Sequence, residues 1–157
     1  MRNVASFRAR REQVLLRLFL RITRVMTLET VERVRALGIT QMQLSFPWLL
    51  GNLDTEGTRI GALARRMGTS RQAASQLSKE IEAAGLVERR PDPHDRRGVI
   101  VSFTPHGRSV LASAVEVMTE IEAEYAGVIS DQGMTRLKRS LKRLLERVDK
   151  SGEFGLD

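Results

Sequence analysis

The sequence predicts a mainly α-helical protein with one small β-hairpin. Apolar residues recur at helical spacing in the first and last thirds of the chain, which indicates long amphipathic helices. In the middle third, two short helical patterns are joined through a glycine and followed by two short alternating stretches typical of strands. Because no long repeat or Pro/Ser-rich linker divides the 157 residues, we expect one unit spanning residues 1–157.

The composition limits the function before any motif is considered. The chain has 26 Lys and Arg against 19 Asp and Glu, a net charge of +7 and a pI near 10.9, which favours a polyanionic partner. It has no cysteine, so disulfides, thiolate nucleophiles and Cys-ligated zinc are excluded. Arg17 and Arg21 interrupt the apolar stretch of residues 14–22, so we expect no membrane span and a cytoplasmic protein.

The first helix is predicted from a broad apolar stripe with an arginine-rich opposite face. The stripe consists of Val14, Leu15, Leu18, Phe19, Ile22, Val25 and Met26. The arginine face could lie on DNA or on a membrane surface, or be solvated, and the pattern leaves these alternatives open. A second helical segment is predicted over residues 42–53, where Pro47 should kink or restart it because proline lacks an amide proton.

Two short helices that meet at Gly68 predict a helix-turn-helix. The first carries its apolar residues on one face, at Ile60, Leu63, Ala64 and Met67. Gly68 suits a left-handed turn, Thr69 or Ser70 can cap the second helix, and Thr69 and Gln72 have capping-box spacing. Periodicity turns one set of the second helix inward, namely Ala73, Ala74, Leu77, Ile81 and Ala84.

The outward face of the second helix carries the candidate major-groove residues, which are Ser70, Arg71, Gln72, Ser75, Gln76 and Lys79. Arginine, glutamine and serine can bond to base edges or phosphates, and a recognition helix turns such a face toward the major groove. Considered alone, this segment is explained equally well as an ordinary solvated helix face.

A hairpin that could project as a wing follows directly. Residues 86–90 are predicted as one strand, and the alternation through residues 98–103 predicts a second. Between them, Asp92 and Asp95 suit turn positions because their carboxylates can bond nearby backbone amides.

This hairpin is basic, and its candidate DNA-binding residues are Arg89, Arg90, Asp95, Arg96 and Arg97. Arg96 and Arg97 are adjacent at the predicted loop tip, so they point to opposite sides, and Asp95 can orient one guanidinium. An arginine held on a thin loop is suited to a narrow A·T-rich minor groove. The alternative is a loop of mutually neutralising surface charges.

Two more helices are predicted beyond the hairpin. Thr104 and Pro105 have the residue types of an N-cap and first helical position. The helix that follows has apolar residues at near-heptad spacing, at Val110, Ala114, Val117, Ile121, Tyr125 and Val128. Ser130 caps a last helix with a second stripe, at Met134, Leu137, Leu141, Leu144 and Val148.

These apolar stripes need partners, and a second copy of the chain across a twofold axis would supply them. We expect a dimer interface formed by Leu15, Leu18, Phe19, Val117, Ile121, Leu137, Leu141 and Leu144. A monomer with an intramolecular helical hairpin is the alternative.

The order helix-turn-helix, "GLVERRPDPHDRRGVIVSFTPHG" and long helix resembles the MarR (multiple antibiotic resistance regulator) family of winged-helix transcription factors. The resemblance is strongest over residues 60–111. The Asp-x-Arg of the family's wing maps onto Asp95 and Arg97, and its strand-end motif maps onto Val101, Phe103, Thr104 and Gly107. By this resemblance Arg97 is the wing arginine and residues 70–79 lie in the recognition helix. Gln76 stands where many relatives have a basic residue, so that base contact is not carried over.

The resemblance implies a winged helix-turn-helix part at residues 55–107 and a helical dimerisation part at residues 6–40 and 108–150. It implies a homodimeric transcriptional regulator that binds a pseudo-palindromic operator in double-stranded DNA. We expect a repressor, which the resemblance further implies is relieved by a small-molecule effector, with Phe46, Trp48 and Phe19 as pocket residues or, alternatively, as core. An architectural, non-specific nucleic-acid binder or a winged helix used only for protein contacts would carry the same charge pattern.

Catalysis is not expected. His94 lies beside Asp95 and near Asp92, but neighbours on a loop do not make a preorganised dyad or metal site. No phosphate-cradling glycine loop occurs in the sequence either. We therefore expect no catalytic residue, no metal and no cofactor.

Overall fold

The computed structural model describes residues 10–149, and the side chains of Arg96 and Arg97 lie outside what it describes. After a helical turn at residues 10–13, the helices are α1 (Leu15–Ala36), α2 (Phe46–Leu50), α3 (Ile60–Arg66), α4 (Arg71–Ala83), α5 (Pro105–Ile129) and α6 (Asp131–Val148). The strands are β1 (Thr58–Arg59), β2 (Val87–Asp92) and β3 (Asp95–Phe103). The predicted fold class, mainly α with a small β-hairpin, is confirmed.

The three strands form one antiparallel sheet in the order β1-β3-β2. Strands β2 and β3 are the predicted hairpin, joined by a short turn at Pro93 and His94. Strand β1 was not predicted, and it pairs Thr58 with Val101 and Arg59 with Ile100. A strand this short shows no alternation of polar and apolar residues, so no sequence pattern reveals it.

One core joins the winged part to the helices around it. Its largest fully buried side chains are Phe46, Leu49, Leu63, Ile81, Leu86, Ile121, Val31, Val34, Val87 and Val101. Val117 and Ile121 of α5 belong to this core, with 4% and 0% of their surface exposed. Their expected place in a dimer interface is therefore wrong, because their own chain already encloses them.

The turn of the helix-turn-helix is set by one glycine and one N-cap. Gly68 takes the left-handed conformation, with φ of +60°. The Ser70 hydroxyl accepts a hydrogen bond from the Ala73 amide at 3.1 Å. Thr69 and Gln72 do not form a capping box, because the N-cap is Ser70 and α4 begins at Arg71, one residue later than a box with Thr69 as N-cap would need.

Thr104 caps α5 as predicted and also ties this helix to the start of the wing. Its hydroxyl accepts from the Gly107 amide at 2.8 Å and donates to the Gly85 carbonyl at 2.7 Å. A Cβ added at Gly107 would lie 1.8 Å from the Leu86 carbonyl oxygen. The Thr-x-x-Gly spacing is therefore explained by a cap and by the close approach of two backbones.

Two details of the predicted helices are corrected. The segment of residues 42–53 is helical only over α2, where Pro47 lies in the first turn; there a missing amide proton costs no intrahelical hydrogen bond. In α4, Ala73 is exposed, whereas Ser78 is buried and donates its hydroxyl to the Ser75 carbonyl at 2.8 Å. The local hydrogen bond lets a serine occupy the inward position.

The outer part of α1 and much of α6 leave large apolar side chains exposed. We call this set the terminal apolar surface, and it comprises Leu15, Leu16, Leu18, Leu20, Ile22, Val25, Leu137, Leu144, Leu145 and Val148. Phe19 and Leu141 lie beside it and are half-buried. Helix α6 has no buried residue and is tied to α5 by an ion pair between Lys138 and Glu122 at 2.6 Å. Within residues 10–149, no helix combines the length and apolarity that crossing a bilayer requires.

Candidate nucleic-acid interface

The N-terminal half of α4 presents most of the predicted major-groove residues to solvent. Arg71, Gln72 and Gln76 are exposed there, and the Gln76 amide donates to the Glu80 carboxylate at 3.2 Å; Lys79 is exposed in the following turn. Ser70, the N-cap, is exposed at the start of the same helix. This half of the helix therefore offers donors and acceptors of the kind that read base edges.

Ser75 and Arg89 bond to each other. The Arg89 guanidinium donates to the Ser75 hydroxyl at 3.2 Å and lies 3.9 Å from the Glu82 carboxylate. Its side chain is 15% exposed. Both residues were predicted to contact DNA, but the structure uses them to join strand β2 to helix α4, whereas Arg90 is exposed.

The tip of the wing is smaller than predicted. Pro93 and His94 form the turn, and β3 begins at Asp95, so Arg96 and Arg97 lie on the strand and not at the tip. In the register of the two strands, Pro91 faces Val99 and Asp92 faces Asp95. Residues 96–98 lie between these paired positions and form a bulge on β3.

Asp92 anchors the turn of the wing. Its carboxylate accepts a hydrogen bond from the His94 amide at 2.9 Å, which confirms the predicted turn role. The carboxylate also pairs with Arg59, whose Nε lies 2.6 Å from Oδ2. Oδ2 forms no well-aligned hydrogen bond, so it interacts with Arg59 as an ion pair. Sequence reasoning missed Arg59 because β1, which positions it, was not predicted.

The start of α4 and the outer half of the wing share one cleft of about 220 Å³. We call it the wing cleft, and its charged lining residues are Arg59, Arg65, Arg71, Asp92 and Asp95. The Arg71 guanidinium reaches across to α3, where a Cβ added at Gly61 would lie 2.8 Å from its Nη2. The cleft therefore brings the start of α4 and the outer half of the wing together, with arginines between them.

The loop before β1 is held by a second carboxylate–arginine pair. Arg66 Nη1 lies 2.8 Å from the Asp54 carboxylate, which also accepts from the Thr58 hydroxyl at 2.8 Å. The Arg66 guanidinium, aided by Thr58, holds the pKa of the Asp54 carboxyl below its usual value. This pair fixes the chain just before β1 and so supports the third strand of the sheet.

A separate apolar cavity of about 120 Å³ lies between α1, α2 and α5. Its lining is Thr30, Val31, Val34, Met42, Pro47, Leu50, Gly51, Val110, Leu111, Ala114 and Met118. The three aromatic residues considered for a pocket are not among them: Phe46 is core, Phe19 is half-buried and Trp48 is 59% exposed. Pro47 does line the cavity, so its position in the first turn of α2 bears on the shape of this space.

Helices α1 and α5, which form two walls of this cavity, are also joined by polar contacts. Arg33 donates to both oxygens of Glu124 at 2.7 Å, and the Tyr125 hydroxyl donates to Glu29 at 2.7 Å. The Arg33 guanidinium holds the pKa of the Glu124 carboxyl below its usual value. Among residues 10–149, no cluster of three potential metal ligands occurs.

Comparison with known proteins places these features in a family. A family model described as "MarR family" matches residues 37–98. The transcriptional activatory protein BadR of Rhodopseudomonas palustris is 33% identical over 120 residues, which cover 74% of this chain and 66% of BadR. The transcriptional repressor MprA of Escherichia coli K12 is 23% identical over 123 residues, which cover 78% of this chain and 70% of MprA.

A solved structure agrees with the sequence comparisons. The transcriptional regulator BldR of Sulfolobus solfataricus is 27% identical and superimposes with a TM-score of 0.66. The match covers 94% of this chain and 100% of BldR. The shared architecture therefore extends over the terminal helices as well as the helix-turn-helix and wing.

Proposed function

This chain belongs to the MarR family of DNA-binding transcriptional regulators, and on that premise we propose that it is a homodimer that binds a pseudo-palindromic operator. Each copy would place α4 in the major groove and the wing in the adjacent minor groove. The wing cleft carries this proposal, because its lining brings the exposed start of α4 and the outer half of the wing together around Arg59, Arg65 and Arg71. Members of this family regulate transcription and are not enzymes. We propose that this regulator binds its DNA in the cytoplasm.

The division of labour at the DNA follows from exposure and hydrogen bonding. We assign the major-groove contacts to Ser70, Arg71, Gln72, Gln76 and Lys79. The wing contacts are assigned to Arg90, Arg96 and Arg97, with Asp95 beside them, and Arg97 enters the minor groove as the resemblance implies. Ser75 and Arg89 support these contacts from within, because they bond to each other. The winged part of the proposal spans residues 55–107.

Dimerisation is proposed through the terminal apolar surface, within residues 6–40 and 108–150. Leu15, Leu18, Leu137 and Leu144 are exposed there, and Phe19 and Leu141 are half-buried beside them. Monomeric proteins rarely leave so many large apolar side chains together in water. A second copy about a twofold axis covers the same surface on both chains and sets two recognition helices about one helical turn of DNA apart.

We propose repression that a small apolar ligand relieves. The ligand would fill the cavity between α1, α2 and α5, whose lining includes no charged residue. Because α1 and α5 also lead toward the terminal apolar surface, filling this cavity would change the spacing of the two winged parts; a coupling of about 1–3 kcal/mol suffices for such a switch. The sign of regulation is tested with a reporter gene behind the selected operator.

Selection from a random duplex library, followed by binding measurements across a salt series, tests this function. A regulator keeps about a thousandfold preference or more for its selected site at physiological salt. Arg71→Ala or Gln76→Ala should change which bases are selected, whereas Arg10→Ala should weaken binding to all duplexes alike, if at all. An architectural binder would lose affinity for selected and random duplexes in parallel as salt rises, and that result would overturn the proposal.

A further inference from the structure

The outer half of the wing lies beyond the three-stranded part of the sheet. Strand β1 pairs with β3 only at Val101 and Ile100, so beyond Ile100 the hairpin extends past the edge of the three-stranded sheet. Isolated two-stranded hairpins are marginally stable in water. The direction in which the outer wing points therefore depends on side-chain contacts with α3 and α4.

One of these contacts is the pair of Arg59 and Asp92. Asp92 is at the end of β2, and its side chain is 1% exposed, whereas Arg59 is the residue immediately before α3 and its side chain is 60% exposed. Arg59 Nε lies 2.6 Å from Oδ2, and its Nη2 lies 3.4 Å from Oδ1. A buried carboxylate is costly without a partner, so Asp92 holds Arg59 and the wing turn together.

Asp92 also lies against the bulge that carries the wing arginines. A Cβ added at Gly98 would lie 2.7 Å from the Asp92 Cβ, so glycine is required for this close approach. Gly98 ends the bulge of residues 96–98, which lies between the paired positions of Asp92 and Pro91 on β2. The bulge that carries Arg96 and Arg97 therefore approaches, at Gly98, the Asp92 side chain that Arg59 holds.

We infer that Arg59 and Asp92 are positioning residues for the wing, which fix the direction of the Arg97 bulge relative to α3 and α4. The inference rests on the proposed function, since it is the minor-groove contact of Arg97 that they serve. The guanidinium of Arg59 keeps the buried carboxylate neutralised, and the carboxylate holds the turn through the His94 amide and the bulge through Gly98. Neither residue needs to touch a base for this role.

A double-mutant cycle with Arg97 tests the inference. Affinity for the selected operator is measured for the wild type, Asp92→Asn, Arg97→Ala and the double variant, with thermal unfolding as a check of folding. Asp92→Asn should weaken binding about tenfold in the wild-type background and less than twofold when Arg97 is already alanine. Equal losses in both backgrounds, or no loss in either, would overturn the inference.

Asp54→Asn is the matched control, because Asp54 also pairs with an arginine of α3 beside β1, at 2.8 Å from Arg66. Its effect on affinity should not depend on Arg97. If the effect of Asp54→Asn on affinity depended on Arg97 as strongly as that of Asp92→Asn does, any weakening of this region would produce the coupling. That outcome would overturn the positioning role.

Arg59 variants keep the inference testable if Asp92→Asn does not fold. Arg59→Ala should weaken binding about tenfold with coupling to Arg97, and Arg59→Lys should recover part of the loss because it restores the charge. If Arg59 contacted only a phosphate, Arg59→Ala would cost the same with or without Arg97 and would lower the salt slope by about one. If the proposed function is wrong, the wild type itself will prefer no duplex over another. That result differs from those above, and it would overturn both the proposed function and this inference.

Discussion

The winged part and the terminal helices differ in how they satisfy their apolar side chains. In the winged part, α3, α4 and the strands bury theirs in one core that they share with α2, and side-chain hydrogen bonds fix the caps and turns. In the outer part of α1 and in α6, the same kinds of side chain are exposed as the terminal apolar surface. Helix α6 has a strongly amphipathic pattern and still buries no residue.

This difference indicates that the two regions complete their structure in different ways. The winged part reaches its final packing within one chain, so its stability should respond to changes in internal contacts. Within residues 10–149, no part of the chain buries the terminal apolar surface, so the stability of these helices should depend on a second copy and on protein concentration. The predictions below separate these two dependences.

The largest effect is expected at Gly107, in the half of α5 that packs on the winged part. Gly107→Ala would place a Cβ 1.8 Å from the Leu86 carbonyl oxygen, so one backbone must move. We expect a loss of about 3 kcal/mol or more in the free energy of unfolding, measured by urea denaturation.

The matched control is the same substitution in the same helix. A Cβ added at Gly127 would meet no atom within 4 Å, so Gly127→Ala should stabilise α5 by about 0.5–1 kcal/mol. Equal effects at the two glycines would contradict the tight packing of α5 on the start of β2.

The next effect separates the terminal apolar surface from the winged part. Leu144 of α6 and Leu44 before α2 are each 50% exposed. Leu144→Glu should weaken self-association at least about a hundredfold because it buries a charge in the proposed interface, whereas Leu44→Glu should leave it unchanged. Sedimentation over a range of concentrations measures both, and a wild-type chain that remains monomeric throughout would refute the dimer.

The third effect compares how much an arginine of the wing and an arginine near α1 contribute to DNA affinity. Arg97→Ala in the wing should weaken operator binding by about 1–3 kcal/mol, because it removes an arginine from the minor groove. Arg10→Ala near the start of α1 should have little effect and no dependence on sequence. Titration of the selected duplex at physiological salt decides between them, and unchanged affinity for Arg97→Ala would defeat the wing assignment.

The smallest effect is the pH dependence of the Asp54 pair. Because Arg66 lowers the pKa of Asp54 in the folded chain, the stabilisation is present above the usual value of 3.8 and is lost as the pH falls through the lowered value. Asp54→Asn should therefore cost less than about 1 kcal/mol at pH 7, since the pair is partly exposed, and progressively less as the pH falls below 3.8. Urea denaturation over a series of pH values checks this, and a difference that does not shrink as the pH falls would contradict it.

The features that sequence reasoning predicted are those that depend on local patterns. Gly68, Thr104 and the alternation into Phe103 each carry a local signal, and each holds its predicted role. The pairs of Arg59 with Asp92 and of Arg89 with Ser75 had no such signal, because their partners meet only after the sheet forms.

The errors in packing have a physical cause as well. Periodicity indicates that a helix has an apolar face, but it does not say whether that face meets the same chain or another copy. Val117 and Ile121 were therefore assigned to a dimer although both are buried in the core of their own chain. Ala73 is exposed and Ser78 is buried because of how α4 is rotated about its axis against its neighbours. Small side chains such as these do not indicate that rotation in the sequence.

The distance between the two recognition helices on a selected operator tests the central claim most directly. The chain has no cysteine, so Ala83→Cys at the exposed end of α4 can be spin-labelled as a single site. Pulsed electron resonance on the complex should give one narrow distance on the order of 35 Å, set by one helical turn of DNA. The absence of any dipolar signal, or a broad distribution that the operator does not change, would contradict a twofold dimer that uses α4 to read the major groove.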